Sequence, residues 1–478
     1  MLNLDPGNRR DKAELLSLLE KIQIRATERN HLQLVNISLG VGFTDPLGVL
    51  QAIQDSASAH LYLERPSKEW ALAAEGCLIE AHFQGPNRWE EARNWTRLWQ
   101  SEICRVVEPG IATGGIHWLF TAPFYNEPDS LHIFVPRWMV TRTPHGYAAM
   151  ANVVIDAQSP VHLIAEKILA AHRRFEAFDY AGDDNASFST PKVGSVSEVS
   201  QSEDDAYPKR VAKALQRISE KAYQKIVLAR AIDVQLLEGV NPLNWCHRLR
   251  ERFPYCTTYS YGDGTGQTFL GATPESLVRV EDGNFETEAI AGSAPRGTNA
   301  REDARLAQEL SRSLKDLHEH RLVLDSINRR LATIGVKGSS PTQPKLVQLA
   351  NVQHLQTPLR GQLPDGTHLF DLAAVLHPTP AVGGSPREAA LADLPDLEPF
   401  SRQLYAGIAG WLNDAGNGEC YVLLRSAGVN GQSVRFYAGA GIVEGSDPDA
   451  ELRETNLKFG ALLETLLPSI KEHSNVTR

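Results

Sequence analysis

The sequence has little cysteine, no surplus of positive charge and no long apolar run. Its five cysteines (Cys77, Cys104, Cys246, Cys256 and Cys420) are scattered and odd in number. No pair has zinc-ligand spacing, which points to reduced, mostly core thiols and a cytosol-like compartment. Lysine and arginine number 48 against 58 acidic residues, a formal net charge of -10. That balance argues against a general nucleic-acid binder, which needs basic groups to release counterions. It leaves room for an anionic small molecule, which needs only a local positive pocket. No apolar stretch reaches membrane-spanning length, and Met1-Leu-Asn-Leu-Asp-Pro-Gly lacks the apolar core of a signal peptide. The expectation is a soluble, cytoplasmic protein with no nucleic-acid or membrane partner.

What is present is ordinary globular material. The chain has 478 residues, 42% hydrophobic and 22% charged, ample for a sizeable core. Length alone suggests about two to three domains, or one large one. Leucines from Asp11 to about Glu28 recur as on an amphipathic helix. From about Gln33 to Trp138 short apolar runs broken by glycine and proline predict antiparallel strands, with a helical segment from Trp89 to about Leu98. The strands continue through Tyr147 and the following residues, and a helix runs from about Pro160 to Phe178. Ala181 to Ala206 are rich in serine, aspartate and glycine, the composition of a flexible connection. Such a break is either a domain boundary or a surface loop within one core. Beyond it, helical period returns at Val211, Ala214, Leu215 and Ile218. Lys225-Ile-Val-Leu-Ala-Arg reads as a buried strand, and Gly262 to Gln267 as a hairpin turn. One long helix is predicted from about Arg301 to Thr333, with Leu306, Leu310, Leu314, Leu317 and Leu324 as its core face.

The stretch most suited to ligand chemistry is Phe436 to Lys458. It reads as a strand, a turn with Gly439, Gly441 and Gly445, then a helix capped by Ser446 or Asp447 with Pro448 in its first turn. Glu451, Glu454 and Lys458 fall on one face of that helix. Two carboxylates and a lysine beside backbone amides suit a magnesium ion and an anion; the plain alternative is a solvated helix face. Glu319, at the edge of the leucine stripe, is a further oxygen ligand for magnesium or an exposed acid. Lys225, at the rim of a buried strand, either snorkels or serves as a general base. Glu275, in the tight turn Gly271-Ala-Thr-Pro-Glu-Ser-Leu, is a cap or a general acid with an environment-raised pKa. Arg425 ends a buried strand, where a guanidinium is costly unless a carboxylate pairs with it. By themselves these residues indicate a cleft that holds an acidic molecule with a metal.

Taken in order, the segments resemble the chorismate-utilising enzymes. They are Lys225-Ile-Val-Leu-Ala-Arg, Gly271-Ala-Thr-Pro-Glu-Ser-Leu, Ala289-Ile-Ala-Gly-Ser, Lys315-Asp-Leu-His-Glu-His, His354-Leu, His377-Pro-Thr-Pro-Ala-Val-Gly, Tyr405-Ala-Gly, Leu424-Arg and Ala438-Gly-Ala-Gly-Ile through Lys458. The similarity runs from about Tyr207 to Leu467 and is strongest toward isochorismate synthases. It implies an α/β (α+β) fold: a large single domain of stacked antiparallel sheets flanked by helices. Residues 1–180 would then be the strand-rich N-terminal half of the core, 181–206 a loop, and 207–472 the catalytic region.

The resemblance also implies roles. Lys225 would deprotonate a water that attacks ring carbon 2 of chorismate, and Glu275 would protonate the hydroxyl leaving carbon 4. Glu319 and Glu454 match magnesium ligands, and Glu451 a position acting through metal-bound water. Arg425, Lys458 and the amides around Gly292 and Gly439 match carboxylate-binding positions, and His354 a position in the cleft. Aminodeoxychorismate synthases carry a lysine where this chain has Ala291, and anthranilate synthases lack the lysine base. Both usually need a glutaminase, and this chain shows none, so no such partner and a monomer are expected. Pyruvate-eliminating members tend to have threonine at Ser293 and at Ala381, which favours stopping at isochorismate. A salicylate synthase and a silent chorismate-binding protein remain the alternatives. The Pro-Ala-Val-Gly-Gly wording is nearer to the menaquinone and phylloquinone enzymes than to the siderophore ones.

Overall fold

Apolar alternation along the strands builds one largely antiparallel sheet that forks at the strand Leu131–Thr143. It is seen in a computed structural model that describes residues 9–107, 111, 114–125, 130–176, 196–200, 206–348 and 352–467. One edge of Leu131–Thr143 pairs with Trp70–Phe83. The other edge is shared, with Gly146–Ile155 on its second half and His117–Ala122 on its first. From Trp70–Phe83 one arm runs through Ala59–Arg65, Thr257–Asp263, Gln267–Thr273, Ser426–Asn430 and Ser433–Val443 to Lys225–Leu236. From His117–Ala122 a second arm runs through Ile408–Asn413, Gly418–Val422, Ser276–Glu281 and Asn284–Pro295 to Val352–Gln362. Both arms contribute to one apolar core that includes Leu61, Phe120, Leu228, Ala289, Ile408 and Tyr437. Helices pack outside it: Pro242–Arg252 and Pro448–Leu466 close a second cluster around Trp245 and Phe436. Helices Arg9–Arg29 and Val161–Glu176 close a third against Gln33–Val41. No described helix is long and apolar enough to cross a membrane.

Strands from before residue 181 form the centre of the sheet and strands from after 206 extend it on both arms, joined at the pairs Ala59–Arg65 with Thr257–Asp263 and His117–Ala122 with Ile408–Asn413. The segment between them was expected to be a flexible loop, yet Val196–Ser200 pairs as a short strand with Lys225–Leu236. The rest of 181–205 lies outside the described residues, as does the end of the helix expected to reach Phe178. The long helix expected over 301–333 is two helices, Ala300–Arg312 and Leu314–Thr333. Ser313 breaks it: its backbone is extended, and its hydroxyl accepts from the Asp316 amide as the cap of the second helix. The break ends the leucine stripe, leaving Leu314 84% exposed while His320, Val323, Ile327 and Leu331 face inward. Asp447 is the cap of helix Pro448–Leu466, accepting from the Ala450 amide at 2.8 Å.

One buried ion pair finishes the edge of the strand Lys225–Leu236. Gly384 and Ser385 pair with its first two residues, and Gly383 O accepts from Val227 N at 2.9 Å. Between that point and the pairing of its last residues with Val196–Ser200, side chains replace a neighbouring strand. Arg402, 0% exposed, donates to Val227 O at 2.7 Å and to Val382 O at 2.8 Å. It also donates to both oxygens of Glu398, at 2.8 and 2.6 Å, and Glu398 accepts from Ala229 N at 2.7 Å. Burial works against the Arg402 charge, but the Glu398 carboxylate outweighs it and holds the guanidinium above its ordinary value. Removing one partner strands a buried charge. Glu398→Ala is expected to lower stability by about 3–5 kcal/mol in urea unfolding. The double variant Glu398→Leu/Arg402→Met should stay destabilised, because it leaves Val227 O, Val382 O and Ala229 N without partners. Recovery of wild-type stability in the double variant contradicts this account.

Candidate active site

The two arms and the helices Leu314–Thr333 and Pro448–Leu466 enclose a cavity of about 320 Å³. All but one of the residues singled out in the sequence line it: Lys225, Glu275, Gly292, Ser293, Glu319, His354, Ala381, Arg425, Gly439, Glu454 and Lys458. Glu451 does not. It is buried behind the helix face, 3.7 Å from Lys315 Nζ.

Lys225 is the first residue of its strand and is 2% exposed. Its ammonium donates to Glu319 Oε1 at 2.7 Å. Glycine at 441, on the adjacent strand, makes room for this contact. A Cβ there would lie 3.1 Å from Lys225 Cε and 3.2 Å from Glu319 Oε1. Glu275 joins the strands Gln267–Thr273 and Ser276–Glu281 and is 8% exposed. Burial first, and the Glu288 carboxylate second, push its pKa up to about 7, against the opposing effects of the Thr379 hydroxyl and Lys225. Thr379 Oγ1 stands 3.4 Å from Glu275 Oε1.

The opposite lining comes from the bulge between Ala291 and Ser293 in the strand Asn284–Pro295. Gly292 takes φ +81 there, a conformation few side chains tolerate, and a Cβ on it would sit 3.1 Å from Asp316 Cβ. The bulge sets Ser293 against His354, with Oγ and Nδ1 2.9 Å apart. Burial, then the cations Arg425 and Lys458, hold His354 down at about 4, so its ring is neutral at pH 7. Arg425 has a left-handed backbone at φ +50, an uncommon state for a residue with a side chain. Among the described residues no carboxylate pairs with it. Its guanidinium meets Cys256 Sγ at 3.5 Å and lies 5.4 Å over the Phe253 ring. Burial lowers its pKa, with the Cys256 thiol in partial opposition. An uncompensated guanidinium lining a cavity suits an anion from outside.

On helix Pro448–Leu466, Lys458 Nζ donates to Glu454 Oε1 and to Gly439 O, both at 2.8 Å. Burial alone would raise Glu454, but Lys458 outweighs it and holds the carboxylate below its ordinary value. Glu451 is pushed up by burial first, then by Glu454, with Glu319 adding to it. Asp316 is likewise raised by burial, with Glu319 and Glu454 contributing. The carboxylates of these two helices thus crowd one another, and their oxygens are donors of the kind magnesium takes.

Three participants carried no role in the sequence reading. Glu288 shares the acid's environment, Thr379 bonds to it, and Tyr405 lines the cavity. Thr379 and Tyr405 lie in segments already singled out, whereas Glu288 shows only as a charge inside an alternating strand. A larger groove of about 800 Å³ elsewhere lacks this convergence, and its Asp233 is satisfied by Arg435 at 2.6 and 2.7 Å.

Comparison with known proteins gives this cavity a context. The family model for chorismate binding enzymes matches residues 18–467. The chain is 29% identical over 472 residues to isochorismate synthase MenF of Bacillus subtilis, covering 95% of this chain and 97% of that one. It is 34% identical over 437 residues to the salicylate biosynthesis isochorismate synthase of Pseudomonas aeruginosa, covering 91% and 90%. Among solved structures, the menaquinone-specific isochorismate synthase MenF of Escherichia coli superposes with a TM-score of 0.75 at 25% identity, covering 95% and 99%. The architecture described above, a mixed fold built on a large antiparallel sheet, is shared with these structures. With the match spanning nearly its whole length, the chain belongs to the chorismate-binding enzyme family.

Proposed function

We propose that this protein isomerises chorismate to isochorismate. What carries the proposal is the convergence of a buried lysine and a carboxyl of raised pKa on one cavity from different arms of the sheet. Lys225 takes a proton from a water as its oxygen bonds to ring carbon 2. The ring double bonds shift, and the carbon-4 hydroxyl departs as water with the proton of Glu275. Glu319 Oε1, 2.7 Å from the ammonium, is the nearest group to receive or return the proton that Lys225 must shed. Arg425, without an acid of its own, and Lys458 are placed to hold the substrate's carboxylates, with Gly292, Ser293, His354, Ala381 and Gly439 shaping the rest of the lining. Glu319 and Glu454, with Glu451 behind them, fit a magnesium ion, since their donors are all oxygen and their charge is crowded. When bound, the ion supplies charge neutralisation at the substrate's carboxylate. The five free cysteines support a cytoplasmic setting, and Lys225 with Ala291 supports a chain that works without a glutaminase.

A salicylate-forming lyase is the second reading, because the relative from Pseudomonas aeruginosa is named for salicylate biosynthesis. Its own name is nevertheless that of an isochorismate synthase, and Ala381 lines the cavity where pyruvate-eliminating enzymes tend to have threonine.

Chromatography of chorismate incubated with the protein and magnesium should yield isochorismate. Lys225→Ala and Glu275→Gln should each lower kcat by about 10²-fold or more with the fold intact by circular dichroism. Normal turnover in Lys225→Ala would falsify the mechanism, and calorimetric chorismate binding without any product would point to a silent binder. Coupling the reaction to lactate dehydrogenase should show only traces of pyruvate; stoichiometric release would move the assignment to the lyase.

The pH profile has a definite sign. Glu275 must be protonated to donate, and its proton leaves as pH rises through about 7. The ratio kcat/KM should therefore fall on the alkaline side of neutrality, approaching about tenfold per pH unit. A profile flat from pH 6 to about pH 9 would remove Glu275 from the role of acid.

A further inference from the structure

Away from the cavity, the fork of the sheet gathers a thiol, a carboxylate and an imidazole. The Cys77 sulfur, a Glu80 carboxylate oxygen and a His132 ring nitrogen all lie within 4.8 Å of one another. Side chains three apart on a regular strand point to opposite faces. Here the register shifts between Cys77, opposite Pro136, and Ile79, opposite Val135. That extra residue reverses the parity, so Cys77 joins Glu80 and His82 on one face, and His132 stands directly opposite His82.

We propose that Cys77, Glu80 and His132 form a second metal site, for a thiophilic divalent cation such as zinc, clasping the strands Trp70–Phe83 and Leu131–Thr143. The donor set selects the ion. Sulfur and imidazole nitrogen suit zinc, whereas magnesium takes oxygen. A tetrahedral ion with bonds of about 2.0–2.3 Å needs its ligand atoms about 3.3–3.8 Å apart, which small side-chain rotations reach from the spacing present. His132 is already aimed. Its Nδ1 lies 2.8 Å from the Tyr261 hydroxyl and its Nε2 lies 2.9 Å from Glu80 Oε2. A tyrosine hydroxyl can accept from Nδ1–H, leaving the Nε2 lone pair for a cation, as outer partners do for metal-bound histidines. Burial, helped by His82, keeps His132 neutral, the form that ligates. Burial and then the Glu80 carboxylate push the Cys77 thiol up, so without a cation it keeps its proton; metal binding releases it.

Entry is open, because Glu80 is half exposed and the site borders the 800 Å³ groove lined by His82, His132 and Tyr261. The fourth position falls to a water or to His82, whose Nε2 lies 4.0 Å from Glu80 Oε2 and whose ring stacks 4.4 Å from that of His132. None of these residues touches the cavity of the proposed chorismate chemistry.

The test is a titration of chelator-stripped, full-length protein with cobalt(II), in excess magnesium. A thiolate-to-cobalt charge-transfer band in the near ultraviolet should grow to one equivalent and vanish when zinc is added. Cys77→Ser should abolish the band, while Cys104→Ser should leave it. His132 is buried and its removal risks the fold, so Glu80→Gln, at a half-exposed position, is the second variant; it should weaken zinc binding by at least about 10-fold. No band in the wild type, a band that survives Cys77→Ser, or unchanged affinity in Glu80→Gln would each overturn the site.

Discussion

A strand that ends in a ligand cavity needs both edges held, and Lys225–Leu236 has a full partner on one side only. On the other side Gly383 to Ser385 serve its first residues and Val196–Ser200 its last, and between them Arg402 and Glu398 act as a two-residue substitute for a strand. The arrangement also fixes Val382 through its carbonyl, and so ties two walls of the cavity to one guanidinium. A surface ion pair would be worth little. This one is worth more because three backbone groups depend on it for their hydrogen bonds. The ring of Phe124, 4.2 Å from the guanidinium, seals it from water.

Within the cavity, charge is distributed unevenly by design of the packing. Lys225 and Lys458 each have a carboxylate at hydrogen-bond distance, whereas Arg425 has a sulfur and a phenyl ring. Glu275 has a hydroxyl and a neighbouring acid. The two groups lacking an opposite charge at contact distance are therefore a guanidinium and a carboxyl that holds its proton up to about neutral pH. An anion with a leaving hydroxyl complements both. Burial alone, applied to residues of different chemistry, yields an anion anchor and an acid.

Much of this was legible in the sequence, and the rest fails for identifiable reasons. Ordered segments around Lys225, Glu275, Glu319, Arg425 and Lys458 were recognisable because glycines, prolines and charges recur there in a fixed order. Strands announced themselves by alternation, and the cap before Pro448 as Ser446 or Asp447, of which the structure uses Asp447. The break at Ser313 was hidden because leucines continue at helical spacing across it, and a serine cap competes with helix propensity only locally. For Arg425 the residues alone said only that a buried guanidinium is costly without a carboxylate, and it was the resemblance that gave it a substrate's carboxylate as partner. Glu288 acts on Glu275 across two strands whose register no single sequence reveals. The juxtaposition of Cys77, Glu80 and His132 was invisible for the same reason, compounded by a bulge.

The completion of early strands by late ones on both arms has a consequence for how the protein is made. Ala59–Arg65 waits for Thr257–Asp263, His117–Ala122 waits for Ile408–Asn413, and Lys225–Leu236 waits for Ser433–Val443. During synthesis these partners emerge long after the strands they complete, so loop closure is slow and unpaired edges stay bare meanwhile. The last described helix, Pro448–Leu466, brings Glu454 and Lys458. The cavity is thus the last of the described parts to be completed. A nascent chain is exposed to aggregation through its open edges for most of its translation, and holding chaperones have more to do here than for a protein of similar size built from sequential units.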